Sequence, residues 1–368
     1  MKEICFTMNV ILIFILLSCN SNRKNTTPIL KVSDDILEHN IKLSELISDY
    51  KIIPLETTEN GIIGQPDKII VHDDQFFILD SRKAKTVFVF SREGKFIRKI
   101  GKNGKGPGEY NAPRDFCFVP GSNNLAIVDD KRVLLYSIEG TYSKTIVLPI
   151  PAWRIEFTDA NHIACVPMGD ANEMIIVNLE SRKHVSYFKY VKETHKILNF
   201  PFIHYGDSGI LFLHNLDYMI YKINGTKISP HIAIDFDKNM FTEKDLQSLK
   251  EDMNNEDRFF KIKHYFESAS HIVILSYLNR VPYYIFHNKI SGATKYMMLN
   301  EIENDITGSN ISRFVIWSKS PDDFFISCIE AIDFKDSSLI EKNIANSNQP
   351  VNHLQLIENP VLVLFKLR

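Results

Sequence analysis

What most limits the folds open to this chain is a fourfold group of short apolar runs that recurs along it. The clearest copy spans Ile69 to Tyr110. It reads Ile69-Ile70-Val71, then Phe76-Phe77-Ile78-Leu79-Asp80, then Val87-Phe88-Val89-Phe90, then Lys95-Phe96-Ile97-Arg98-Lys99-Ile100. Turn residues separate the runs, Ser91-Arg92-Glu93-Gly94 among them, and no helical period links them. Short strands joined by short turns make an antiparallel meander.

A second unit runs from Asp115 to Leu148 in the same order, with Asp129 matching Asp80 and Gly140 matching Gly94. Fainter copies follow from Ile155, Phe202 and Ile262. A sixth begins at Arg313-Phe314-Val315-Ile316-Trp317 and ends in Val361-Leu362-Val363-Leu364-Phe365. A period of roughly 40–50 residues is that of propeller blades, each a four-stranded sheet. A lone sheet of this kind cannot bury both faces, but radially stacked blades can. Their strands should then be apolar throughout rather than alternating, as Val87 to Phe90 and Leu125 to Val128 are. A parallel α/β sheet would need helices where this chain has turns. The expected fold is therefore all-β: a six-bladed β-propeller with four-stranded antiparallel blades, over residues 41–368.

Two segments break the pattern. Thr242 to Asn254 has an N-cap at Thr242 and apolar Leu246, Leu249 and Met253 on one face, predicting a short helical insertion at about 241–258. It would be a lid, a partner surface, or a helix packed on the rim. A second short helix is expected over Leu339 to Asn346. The strand candidate Tyr50 to Leu55 stands ahead of the first full unit. A ring must be shut or its last sheet keeps an open edge, so this strand is expected to pair with Val361 to Leu367.

The N-terminus carries an address. Val10 to Leu17 is apolar but too short to span a bilayer, which takes about 20 residues. Residues 1–19 read as a signal peptide. Leu16-Leu17-Ser18-Cys19 resembles the bacterial lipobox, which makes Cys19 the expected lipidation site. Residues 20–40 are expected to be a tether, polar and extended at least as far as Pro28. The tether lacks an acidic run after Cys19, which favours a lipid-anchored protein of the outer membrane facing the periplasm. Cys117, Cys165 and Cys328 each sit inside an apolar run and are expected to be buried free thiols, with one disulfide among them the alternative.

Lys plus Arg is 43 against 45 for Asp plus Glu, and no basic block occurs, so nothing points to nucleic acid. The glycines at 101, 104, 106 and 108 are followed by Pro107 and Pro113 and then a strand, not by the helix a phosphate loop needs; they read as an inter-blade turn. Asp80, Asp129 and Asp130 follow strands and are expected to cap backbone amides, with calcium the alternative. No zinc-protease or nucleophile-elbow motif occurs.

The segment Asp80…Gly94-Lys95-Phe96-Ile97-Arg98-Lys99-Ile100-Gly101…Gly106-Pro107-Gly108-Glu109-Tyr110 resembles the six-bladed β-propeller lipoproteins of Gram-negative anaerobes, which are similar to NHL-repeat propellers. Asn359-Pro360-Val361-Leu362 also looks like that family's last strand. The resemblance implies the fold and an exported, anchored protein, and little about molecular role.

The candidate site is positional. Arg114 and Asp115, Trp153 and Arg154, His204 and Tyr205, His264 and Tyr265, and Arg313 and Trp317 cluster where the first strand of each unit begins. In a propeller that strand lines the axis. Aromatic faces there would stack on sugars and Arg forks would hold carboxylates. Packing between blades is the other role open to them. The expected function is a monomeric, non-catalytic binding module for a glycan, another anionic ligand, or an envelope protein, with no resident cofactor. The alternative is a metal-dependent propeller hydrolase or lyase of the lactonase kind.

Overall fold

The computed structural model describes residues 27–169, 172–189, 201–204, 209–214, 217–240, 242, 260–333 and 359–368. They form a six-bladed β-propeller of four-stranded antiparallel blades in a ring. The inner strands are Lys68–His72, Asp115–Phe118, Ala152–Asp159, Phe202–His204, Lys261–Glu267 and Ile316–Lys319, for blades 1 to 6 in turn. Blade 1 continues through Gln75–Asp80 and Thr86–Ser91 to Phe96–Ile100 at the rim.

The ring follows from the apolar runs. Phe76, Phe77, Ile78 and Leu79 are all fully buried, although consecutive strand residues point to opposite faces. Phe76 and Ile78 pack against Ile326, Leu362 and Leu364 of blade 6. Phe77 and Leu79 pack against Phe116, Leu125 and Ile127 of blade 2. Four further clusters fill the remaining interfaces, so six blades share six buried seams.

The chain ends close the circle. Blade 6 is built from Ile316–Lys319, Phe325–Ile329, Val361–Leu367 and, as its outer strand, Ile47–Pro54. Val363 pairs with Ile52 and Phe365 with Tyr50, antiparallel. The Gly94 turn of blade 1 lies on this closing strand: the Glu56 amide donates to the Gly94 carbonyl at 2.8 Å.

The segment assigned to the tether is partly built into the propeller. Ile29–Lys31 adds a fifth, parallel strand to blade 4, and Leu37–Glu38 does the same for blade 5. Leu30 and Val32 enter the core between those blades. An alternating Ile-Leu-Lys-Val can bury every second side chain on an outer edge, which polar composition around it concealed. The signal segment with Cys19, the helical insertion beyond Thr242, and the helix expected at 339–346 lie outside the described residues. Among the described residues no helix is long and apolar enough to cross a membrane.

The turn chemistry repeats between blades. Asp80 accepts the Gly64, Gln65 and Lys83 amides at 2.8, 3.0 and 2.8 Å. Asp129 accepts those of Asn111 and Ala112 at 3.0 and 3.2 Å. Each carboxylate ties the loop that leads into its own blade's inner strand. Gly101, at φ 66°, is needed because a Cβ would meet the Tyr110 ring at 2.6 Å and the Tyr136 hydroxyl at 2.8 Å. Cys117 and Cys165 are buried free thiols and Cys328 is partly buried.

Candidate functional site

Each blade has an even number of core strands, and the chain leaves each rim to begin the next inner strand. All six inner strands therefore start on one face of the ring. On that face the structure brings together Arg114, Trp153 and Arg154. Trp153 is the extra residue of a β-bulge: Ala152 pairs with Pro167 and Arg154 with Val166, leaving Trp153 unpaired between them. Bulges re-aim side chains, and this one turns an indole outward, 48% exposed. The Arg114 guanidinium lies over the indole, 4.4 Å from the ring centroid. The Arg114 Nε is buried with no hydrogen-bond partner, and no carboxylate among the described residues pairs with this side chain. Arg154 Nη1 donates to the Arg114 carbonyl at 2.5 Å, which fixes the second arginine beside the first.

Trp317 of blade 6 is also a bulge residue, between Ile316 and Ser318. Blades 3 and 6 stand opposite each other in a ring of six, but the two bulges lie at different levels: Trp153 is opposite the end of its second strand and Trp317 opposite the middle of its own. Trp317 is sunk deeper. It packs on the core between blades 6 and 1, and its buried Nε1 has no hydrogen-bond partner.

Other expected site residues go to different work. Asp115 is 1% exposed and spent within the protein: Oδ1 takes Lys68 Nζ at 2.9 Å and Oδ2 takes the Ile155 amide at 2.9 Å. Tyr265 is buried between blades 4 and 5 and donates to Glu267 at 2.6 Å. His264 is buried and stacked on Phe266; burial, then the Lys263 charge, hold its pKa down to about 3, so it is neutral. The His204 backbone pairs with Ile210, while Arg313 lies in the turn Ile311–Arg313 ahead of the blade 6 strand. Their side chains, and Tyr205, lie outside the description.

Two groups escaped the sequence reading. Lys68 of blade 1 reaches Asp115 of blade 2 and comes within 3.9 Å of Glu156 on blade 3. Side chains two blades apart can approach so closely only over the inner edge of the blade between them. The triad therefore sits against the axis, just beneath the Trp153 mouth. Burial would lower the Lys68 pKa, but Asp115 and Glu156 raise it overall. Burial pushes Glu156 up to about 8; Lys68 opposes this and Asp115 adds to it. The signal available was a single charge inside each apolar run, Lys68 before Ile69-Ile70-Val71 and Glu156 between Ile155 and Phe157.

The second group lies farther out on the same face, between blades 3 and 4. Glu173 is 3% exposed and neither carboxylate oxygen has a hydrogen-bond partner. His214 Nε2 lies 3.4 Å from Glu173, and its Nδ1 lies 2.8 Å from Asp217. Burial raises the Glu173 pKa, with His214 opposing and Asp217 adding. Among the described residues no three His, Cys, Asp or Glu side chains converge in a way that would hold a metal ion.

A family model described as a domain of unknown function (DUF4934) matches residues 27–366. No curated protein matches the chain. Among solved structures, it is similar to a candidate exported protein of Bacteroides fragilis NCTC 9343, at 14% identity and a TM-score of 0.72, over 92% of this chain and 99% of that one. It also matches a member of the DUF4221 family from Bacteroides vulgatus ATCC 8482, at 8% identity and a TM-score of 0.49, over 88% and 98% of the two chains. The first likeness is one of fold; the second is too distant to argue from.

Proposed function

The chain belongs to the DUF4934 family, and from the geometry of its mouth we propose that it is a lipid-anchored, non-catalytic binding module of the cell envelope. Its ligand or protein partner docks on the face where the inner strands begin. One observation carries this reading: a half-exposed indole is turned outward by a bulge and backed by an arginine that no carboxylate among the described residues neutralises. A side chain needed only for packing would be folded inward, as Trp317 is. The buried Lys68 triad beneath braces the mouth and holds no exposed acid that would repel an anion.

The lipobox at Leu16 to Cys19 supports the anchor and the envelope address, and the description of the Bacteroides fragilis relative as exported agrees with it. Outer-membrane placement facing the periplasm follows from the absence of an acidic run after Cys19. The metal-dependent hydrolase reading has no specific observation in its favour.

The test uses the detergent-solubilised full chain on glycan arrays and in pull-downs from envelope fractions. The expected result is a binder that Trp153→Ala abolishes. Ile290→Ala, at an 83% exposed residue on a turn of the opposite face, leaves it intact. A binder indifferent to Trp153, or turnover of a small ester or lactone, would refute the proposal.

A further inference from the structure

Resting on the binding-module reading, we propose that the partner of the mouth face is an anionic lipid surface. The free lysines of blades 1 and 2 and the indole of Trp153 dock on the bilayer that holds the anchor. Three features select a bilayer.

The first is the charge left over on this face. The turns between the second and third strands of blades 1 and 2, at 81–85 and 130–131, lie on the mouth face. So does the connector between these blades, at 101–114. The acids beside them are mostly spent within the protein. Asp80 and Asp129 cap loop amides, Asp129 also holding Arg132. Glu109 takes the Gly106 amide at 2.8 Å and Lys102 at 2.9 Å. Asp130 is the one exposed acid on these segments. Lys83, Lys85, Lys105 and Lys131 are exposed and enter no ion pair among the described residues. The turns at the other end of the same two blades expose Asp73, Asp74, Glu93 and Glu139, and their exposed lysine, Lys95, is paired with Glu56.

The second is the kind of group presented. Lysines are point charges on flexible stems, set here on three separate loops. That suits the diffuse field of a charged bilayer better than one shaped anion. On the neighbouring blade, Trp153 is 48% exposed, with Arg114 over one ring face. An exposed indole settles at the headgroup level of a bilayer. The acids Glu303 and Asp305, on the connector between blades 5 and 6, lie across the ring from blades 2 and 3. The face therefore docks tilted, with the basic edge nearest the lipid.

The third is the reach of the anchor. The chain enters the propeller at Ile29, which is 60% exposed. Ile29 pairs with Ala233, opposite Met219 at the mouth-face end of the blade 4 strands. Only residues 20–28 lie between this point and Cys19. The span from Cys19 to Ile29 is about 35 Å at full extension. A face tethered this closely meets the bilayer as an intramolecular event, so a few modest contacts are enough to dock it.

The experiment reconstitutes the acylated full chain carrying Trp317→Phe, so that Trp153 is the reporter. The vesicles are phosphatidylcholine alone or equal parts phosphatidylcholine and phosphatidylglycerol. Flotation reports the anchor, and quenching of Trp153 by brominated lipid reports docking. The protein should float with both, and Trp153 should be quenched and blue-shifted only where phosphatidylglycerol is present. Each of Lys83→Ala, Lys85→Ala, Lys105→Ala and Lys131→Ala should lower the docking equilibrium about fivefold, the share of one cation near an anionic surface. The four together should abolish quenching and leave flotation unchanged. Floating protein with Trp153 unquenched, or quenching indifferent to phosphatidylglycerol or to the lysines, would overturn the inference. So would a Trp153 response to polyglutamate or polygalacturonate with none to phosphatidylglycerol, which assigns the face to an acidic polymer. In each of these cases the binding-module reading stands if a binder dependent on Trp153 is captured and falls if none is. Protein that does not float overturns the anchor and the inference together.

Discussion

Glu156 offers the sharpest test of the axial triad. Its carboxyl is buried beside Lys68 and Asp115, and its pKa stands at about 8 against an ordinary 4.5. A raised carboxyl pKa means that the folded protein holds the proton more tightly than the unfolded chain. The stabilisation is complete below the unfolded value and is lost as pH rises through the folded one. Between pH 6 and pH 9 the linkage relation then gives a loss of roughly 3 kcal/mol from this one group. Glu156→Gln replaces the protonated carboxyl with a neutral side chain of the same shape. Urea titrations followed by circular dichroism, at both pH values, compare the two proteins. Wild type should lose roughly 3 kcal/mol more than Glu156→Gln over this range, and the variant should be the more stable at pH 9. Equal pH dependence in the two proteins would refute the argument. So would a wild type that gains on the variant as pH rises, because Glu156 would then be ionised and well paired.

Lys68→Met removes the only cation of the triad and leaves Asp115 buried with a single amide donor; it should cost about 3–5 kcal/mol in the same assay at pH 7. Gly94→Ala should shift the thermal midpoint downward, since Gly94 sits at φ 83° and a Cβ there would collide with the Pro54 carbonyl of the closing strand; strain of this kind costs on the order of 1–3 kcal/mol. Cys117 and Cys165 should resist a thiol reagent in the native protein and react only on unfolding, because burial raises both thiols. Rapid native labelling would contradict their burial.

The architecture was legible because it rests on local pattern. Runs such as Phe76 to Leu79, apolar at every position, can be satisfied only by a sheet buried on both faces, and the turns at Gly94 and Gly140 set the blade length. Closure was legible from one unpaired strand at each end. The strap along blades 4 and 5 was not, because a three-residue strand such as Ile29–Lys31 gives too short an alternation to stand out from a polar segment.

The site was legible only in part. The position rule named Arg114, Trp153 and Arg154, which the structure brings together on one face. It could not separate them from Asp115, which is spent on Lys68 and the Ile155 amide, or from Tyr265, which is buried between blades 4 and 5. Which way a side chain turns at the start of an inner strand depends on a bulge, and a bulge is a matter of cross-strand register. Lys68 and Glu156 lie 88 residues apart and meet only because the ring bends their blades together.

The mouth exists only if the ring is shut, so the most direct measurement is native-state hydrogen exchange of the third strand of blade 6. Its amides at Val361 to Phe365 lie between Phe325–Ile329 on one side and Ile47–Pro54 on the other. If the N-terminal strand completes the blade, these amides exchange only through global unfolding, as slowly as those of Phe77 and Val89 in blade 1. Exchange about a hundredfold faster, by local opening, would show a blade with a free edge and would contradict the closed ring.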